Sequence, residues 1–183
     1  MVQIGLSFNE GVGLMSYLFS DYQQTRKNLK LLKYVPTAPQ IASNTTWQYV
    51  EGSRIAYTPL SAESTVIYEY YVAFSYEDTM NQADFKLEKS ATGVSYTDYD
   101  TATSNQPYHW STGTHGANQT AGLNDLVVLK YKLASWGTTQ QYMQISFKSR
   151  TGRPSRSRLH VTEYPNNPSS LYYYNAFVMC YEV

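Results

Sequence analysis

Cysteine is nearly absent from this sequence: Cys180 stands alone among 183 residues. No intrachain disulfide is possible, so the chain is not one of the small secreted modules held together by bridges. Its neighbours Val178, Met179 and Tyr181 mark Cys180 as a small apolar core residue, since free cysteine is generally buried and inert. Charge is scarce too. Only 15% of the residues are Asp, Glu, Lys or Arg, and 14 basic residues balance 14 acidic ones. A chain that wraps nucleic acid carries a basic excess over a whole face, and this composition argues against that partner. No stretch approaches the ~18 consecutive apolar residues of a membrane span. The opening MVQIGLSFNEGVGLMSYLF has neither a basic leader nor a clean apolar segment, and it is read as no signal peptide.

Catalytic and metal motifs are missing as well. There is no GxSxG nucleophile turn. Gly11-Val-Gly13 lacks the third glycine and the preceding strand of a phosphate loop. His109, His115 and His160 include no i, i+4 pair and have no cysteine cluster beside them. His109 and His115 read as polar loop residues, and His160 as a partly exposed strand residue between Leu159 and Val161. Asp78, Glu77, Asp98 and Asp100 read as solvated acids at loop tips. The expectation is a protein that is not an enzyme, with no cofactor and no metal site.

Tyrosine is what the chain has in abundance, at 19 residues. A large apolar ring with one hydroxyl suits strands, and it suits interfaces that must be buried yet satisfy a polar atom. At 183 residues the chain can hold one sizeable domain with its own core. Residues 1–46 read as an N-terminal arm. Within it SDYQQTRKNLKLLKY has the marks of a short helix: Ser20 or Asp21 could cap it, Leu29, Leu32 and Lys33 follow at helical spacing, and Pro36 and Pro39 end it.

From Trp47 onward the apolar period is two. VIYEYYVAFSY puts Val66, Tyr68, Tyr70, Val72, Phe74 and Tyr76 on one face, with Ile67, Glu69, Tyr71, Ala73 and Ser75 on the other. DFKLEK, DLVVLKYKLA, QQYMQISFKS and RLHVTEY alternate in the same way. WQYVE, RIAYT and VSYTDY are weaker strands. The terminal YYYNAFVMCYEV is apolar on both faces, as a central strand would be. Residues 100–124, rich in Gly, Ser, Thr, Asn and Gln, form the longest irregular stretch. Eight or nine strands with no helical pattern between them indicate an all-β, antiparallel β-sandwich over residues 47–183.

The order of these motifs resembles a known group of domains. In WQYVEGSRIAYTPLSAESTVIYEYYVAFSY, a short strand leads to Thr58-Pro59, a link with Ser61 and Ser64, and the long strand Val66–Phe74. This resembles the front half of jelly-roll heads of the tumour necrosis factor and complement-head type. RLHVTEY, a loop and an apolar terminal strand resemble the back half of similar domains in structural proteins of viruses and phages. The resemblance implies a jelly-roll β-sandwich assembled as a homotrimer, with a pentamer as the alternative. It implies a place in the virion as a capsid, spike, fibre or decoration subunit, anchored to other capsid proteins through residues 1–46. A fold does not by itself carry a function, so particular residues must.

Two candidate sites follow. KSRTGRPSRSR holds Lys148, Arg150, Arg153, Arg156 and Arg158, and the remainder of the chain is 9 basic against 14 acidic. No aromatic stands between Phe147 and Tyr164 to stack on bases. Gly152 and Pro154 suggest the tip of a hairpin. Its arginine forks suit carboxylates on a neighbouring subunit, so the five cations are assigned to an interface, together with Tyr172, Tyr173 and Tyr174. The second site is PYHW within 100–124. Tyr108, His109 and Trp110 form the cluster that a glycan- or receptor-binding head would set against a sugar ring; the simpler reading is that Tyr108 and Trp110 plug the sandwich or meet a neighbour. Asn44-Thr-Thr46 and Asn118-Gln-Thr120 match the glycosylation pattern by chance if no signal peptide directs export.

Overall fold

A computed structural model describes residues 26–41, 46–76, 82–99, 108–111, 123–134, 136–149, 157–164 and 167–183. All regular structure among them is strand. In chain order the strands are β1 (Lys27–Tyr34), β2 (Gln40–Ile41), β3 (Gln48–Tyr49), β4 (Ile55–Tyr57), β5 (Val66–Tyr76), β6 (Gln82–Ser90) and β7 (Thr97–Asp98). They continue with β8 (Tyr108–Ser111), β9 (Leu123–Leu133), β10 (Gln141–Ser149), β11 (Ser157–Leu159), β12 (Val161–Tyr164), β13 (Asn167–Tyr173) and β14 (Ala176–Glu182).

They form two antiparallel sheets and a small ribbon. In the first sheet β1 pairs with β14, β14 with β5, and β5 with β9; β11 and β2 continue beside the second half of β5. The second sheet is centred on β10 and β6, with β3 and β4 on the free side of β10 and β7 and β8 on the free side of β6. β12 and β13 pair with each other. As the apolar pattern of the terminal segment requires, β14 is a central strand.

The core lies between the two sheets. Val66, Tyr68, Tyr70, Val72 and Phe74 of β5 are fully buried, as the period of two demands. They meet Ile55, Phe85, Leu87, Met143, Ile145 and Phe147 of the second sheet. Each such side chain contributes about 1.5–3 kcal/mol by leaving water. Phe85 stacks on Phe147 at 6.1 Å and takes Phe74 edge-on at 6.3 Å. Two of the buried tyrosines satisfy their hydroxyls on backbone: Tyr68 donates to the Ser53 carbonyl at 2.6 Å and Tyr70 to that of Glu51 at 2.8 Å. Cys180 lies in this core, and burial pushes its thiol pKa well up.

Four sequence expectations need correction. Residues 27–34 of the expected helix are an edge strand instead, with Leu31 opposite Met179 and Leu32 opposite Val178. Without β1, the half-buried β14 would leave a row of backbone groups unpaired, and that ladder outweighs local helix preference. The start of that expected helix, Ser20–Thr25, lies outside the described residues. β1 and β2, both from the segment read as an arm, are thus strands of the first sheet.

The second correction concerns His160, which is fully buried. Its φ of 69° places it in the left-handed region. Its N–H donates to the Ala73 carbonyl at 2.8 Å, and its own carbonyl accepts from the Tyr174 N–H at 2.9 Å. This break moves the chain from β11 in the first sheet to β12 in the ribbon, so the alternation of RLHVTEY does not run through it. Third, the basic stretch is no hairpin: β10 and β11 belong to different sheets, and the link crosses from one to the other. Finally, Tyr108–Ser111, expected inside an irregular loop, is a strand paired with β6.

Candidate interaction surfaces

The outer face of the first sheet follows from its register. One row runs Leu31, Met179, Glu69, Lys130 across β1, β14, β5 and β9; the next runs Lys33, Phe177, Tyr71, Val128. Glu69 is 2% exposed, a carboxylate in the middle of the longest apolar strand. Four groups converge on it. Tyr181 donates to Oε1 at 2.7 Å and Tyr71 to Oε2 at 2.8 Å. Lys130 Nζ lies 2.8 Å from Oε1, and Arg26 Nη1 lies 3.6 Å from Oε2. Burial pushes the Glu69 pKa up, but the Lys130, Tyr181 and Tyr71 hydrogen bonds and the Arg26 charge outweigh it and hold it below the usual range. Arg26 also stacks over the Tyr181 ring at 4.1 Å.

Beyond that cluster the face is apolar and open. Leu31 is 43% exposed, Val128 44% and Leu126 66%. β12 of the ribbon lies against β5 and β9. The ribbon delivers the chain to Tyr172, Tyr173 and Tyr174, each about half exposed. These three are the interface tyrosines read from the sequence; Tyr172 and Tyr173 stand opposite Thr162 and Val161 in the ribbon, and the Tyr174 N–H donates to the His160 carbonyl.

The second sheet's outer face is built differently. Glu88 accepts from Ser146 Oγ at 2.6 Å and Gln144 Nε2 at 2.9 Å, with Lys86 Nζ at 2.9 Å. Burial alone would raise the Glu88 pKa, but these three partners hold it below the usual range. Lys86 also reaches Asp98 at 2.5 Å. Trp47 receives two ammonium groups over its ring, Lys86 at 4.7 Å and Lys148 at 4.8 Å. Arg54 sits over Tyr49 at 4.7 Å and Tyr96 at 4.9 Å, and its Nη2 donates to Gln144 Oε1 at 2.8 Å. Cations, acids and rings neutralise one another here.

The proposed site residues are therefore scattered. Lys148 is on the second sheet and Arg158 on the first, where it faces Ser75 and Ile41 in register. Arg150, Arg153 and Arg156 lie outside the described residues. Tyr108, His109 and Trp110 take the register positions opposite Phe85, Asp84 and Ala83. Sequence reading missed the Glu69 and Glu88 clusters. The only local sign of the first was a lone acid in an apolar strand, and its partner Lys130 becomes visible only in the β5–β9 register.

No family model matches this chain, and no curated protein does. Among solved structures it is similar to one of infectious bursal disease virus, Gx strain, at 12% identity over 86% of this chain, with a TM-score of 0.32. The chain spans only 38% of that protein's length. It is also similar to the Eiger TNF from S. frugiperda, at 8% identity over 80% of this chain and 94% of the other, with a TM-score of 0.28. A CocE/NonD family hydrolase from Staphylococcus aureus follows at 10% identity over 86% of this chain and 31% of the other, with a TM-score of 0.23. Weak structural neighbours thus include viral and TNF proteins, while the β-sandwich itself rests on the chain's own strand pairing.

Proposed function

We propose that this chain is a non-enzymatic structural subunit of a virion, a jelly-roll sandwich that self-assembles through the outer face of its first sheet. The strand order supports the fold. Neighbours run β1-β14-β5-β9 within one six-stranded sheet and β4-β10-β6-β8 within the other, and such four-stranded paths are consistent with the two layers of a jelly roll. The observation that carries the assembly is the row of Phe177, Tyr71 and Val128, with Leu31 and Leu126 exposed on the same face. A continuous apolar face of this kind marks an interaction site, and the chain's tyrosine content suits it to a protein partner. A homotrimer is the preferred form and a pentamer the alternative, with residues 1–46 meeting other capsid proteins.

Static light scattering at low and high salt tests this. The expected mass is three times 20.9 kDa at both, because apolar burial is not screened. Five times that mass supports the pentamer. A monomer at micromolar concentration overturns the reading.

A further inference from the structure

One end of the sandwich holds an open groove of about 700 Å³, within the ~300–1,000 Å³ range of small-molecule sites. It lies where the end of β6, β7, the link after β9 and the start of β10 meet. That is the opposite end of β6 from β8, and it is separate from the apolar face assigned to assembly.

Met143 is buried at its base, and Tyr99 and Trp136 are partly buried rings packed on the core. The Trp136 indole N–H donates to the Thr139 carbonyl at 3.0 Å, and the Tyr99 hydroxyl accepts from the Ala134 N–H at 2.8 Å. These bonds engage the polar atom of each ring, so what the two rings add to the lining is chiefly carbon surface. Around them stand Lys89, Thr97, Asp98 and Gln141. The Lys89 ammonium is 5.1 Å from the centre of the Tyr99 ring. Lys86, which also meets Glu88, lies 2.5 Å from Asp98 Oδ1, so Asp98 already has a cation beside it and Lys89 is the cation of the described lining that can meet an anionic group.

Such rings edged by hydroxyl, amide and carboxylate groups match a pyranose. Its C–H face packs on an aromatic plane, and its hydroxyls require donors and acceptors together. A wholly apolar ligand would desolvate Asp98 and Gln141 with nothing in return. A multiply charged phosphate would find a single cation, Lys89, among the described lining residues, with Asp98 near it. We infer that this groove binds an anionic saccharide, a pyranose bearing a carboxylate, stacked on Trp136 and Tyr99 with its carboxylate at Lys89.

The test is a ligand-observed saturation-transfer titration on the full chain with methyl β-glucuronide, methyl β-glucoside and acetate. Glucuronide is expected to bind roughly two- to fivefold more tightly than glucoside, the size of one exposed ion pair, and acetate not at all. Lys89→Gln should make the two sugars equal, and Trp136→Ala should abolish both signals. Absence of glucuronide binding overturns the inference, as does acetate binding equal to glucuronide. Trp136 packs on the core, so the exposed Lys89 provides the safer variant: preference for glucuronide retained in Lys89→Gln also overturns it.

Discussion

The two outer faces of the sandwich treat charge in opposite ways. On the second sheet Lys86, Glu88, Asp98 and Arg54 are spread among Trp47, Tyr49 and Tyr96, each charge beside a partner it neutralises or a ring it covers. On the outer face of the first sheet Glu69 is buried beneath Arg26 and Lys130, Lys33 and Lys132 stand at the margins, and the ground between is apolar. A chain with 15% charged residues cannot make both faces polar. The face that receives the charges can remain in water, and the other calls for a cover.

The largest effect is expected at the joint between the two. Gly52 has a φ of 74°, and a Cβ there would stand 2.3 Å from Tyr34 Cβ. Tyr34 ends β1 on the first sheet, while Gly52 turns between β3 and β4 on the second. Gly52→Ala should destabilise the fold by about 4 kcal/mol or prevent it, read by urea unfolding; a loss below about 1 kcal/mol would mean that the joint yields.

Next comes the buried acid. Glu69→Ala strips Arg26, Lys130, Tyr71 and Tyr181 of their common acceptor, and should cost about 3–5 kcal/mol, the range for breaking a buried pair. Glu88→Ala should cost less, because Glu88 is itself less deeply buried, 9% exposed against 2% for Glu69. Equal losses in urea unfolding would erase the contrast. Both carboxyls are held below their usual range, so their stabilisation is fully present above about pH 4.5 and fades as pH falls further.

Acid should reach the first sheet earlier through His160. Among the described residues its ring nitrogens have no hydrogen-bond partner, and it packs 5.1 Å from the Tyr34 ring. Burial lowers its pKa from 6.5 to about 4 against the opposing pull of Glu51. The unfolded chain therefore takes the proton first. Stability is intact above pH 6.5 and falls by about 3 kcal/mol between there and pH 4. His160→Asn, which tolerates a left-handed φ, should flatten that slope; an unchanged slope would place the titration elsewhere. The smallest effect belongs to Lys148→Gln, which removes one of two cations over Trp47 and should cost about 0.5–1 kcal/mol in urea unfolding without altering the native mass.

Much of the inner face was legible. Val66 through Phe74 alternate so strictly that the long strand, its core side and the central place of β14 follow from periodicity alone. The failures share one cause. β1 carries helical spacing, and only the unpaired edge of β14, some 150 residues away, makes it a strand. His160 looks like part of one strand because a left-handed turn at a histidine has no glycine to announce it. The basic run looks like a hairpin because Gly152 and Pro154 signal a turn without saying which sheet comes next. The Glu69 site needs cross-strand register, which no local pattern encodes.

The native molar mass of the Val128→Lys chain tests the central claim most directly. Val128 lies outside the core at the β9 end of the apolar row, so the substitution leaves the fold in place and sets a charge where a partner would pack. The account predicts a folded 20.9 kDa monomer under conditions in which the parent chain is a multiple of that mass. An unchanged multiple would contradict it and remove the first sheet's outer face from the assembly.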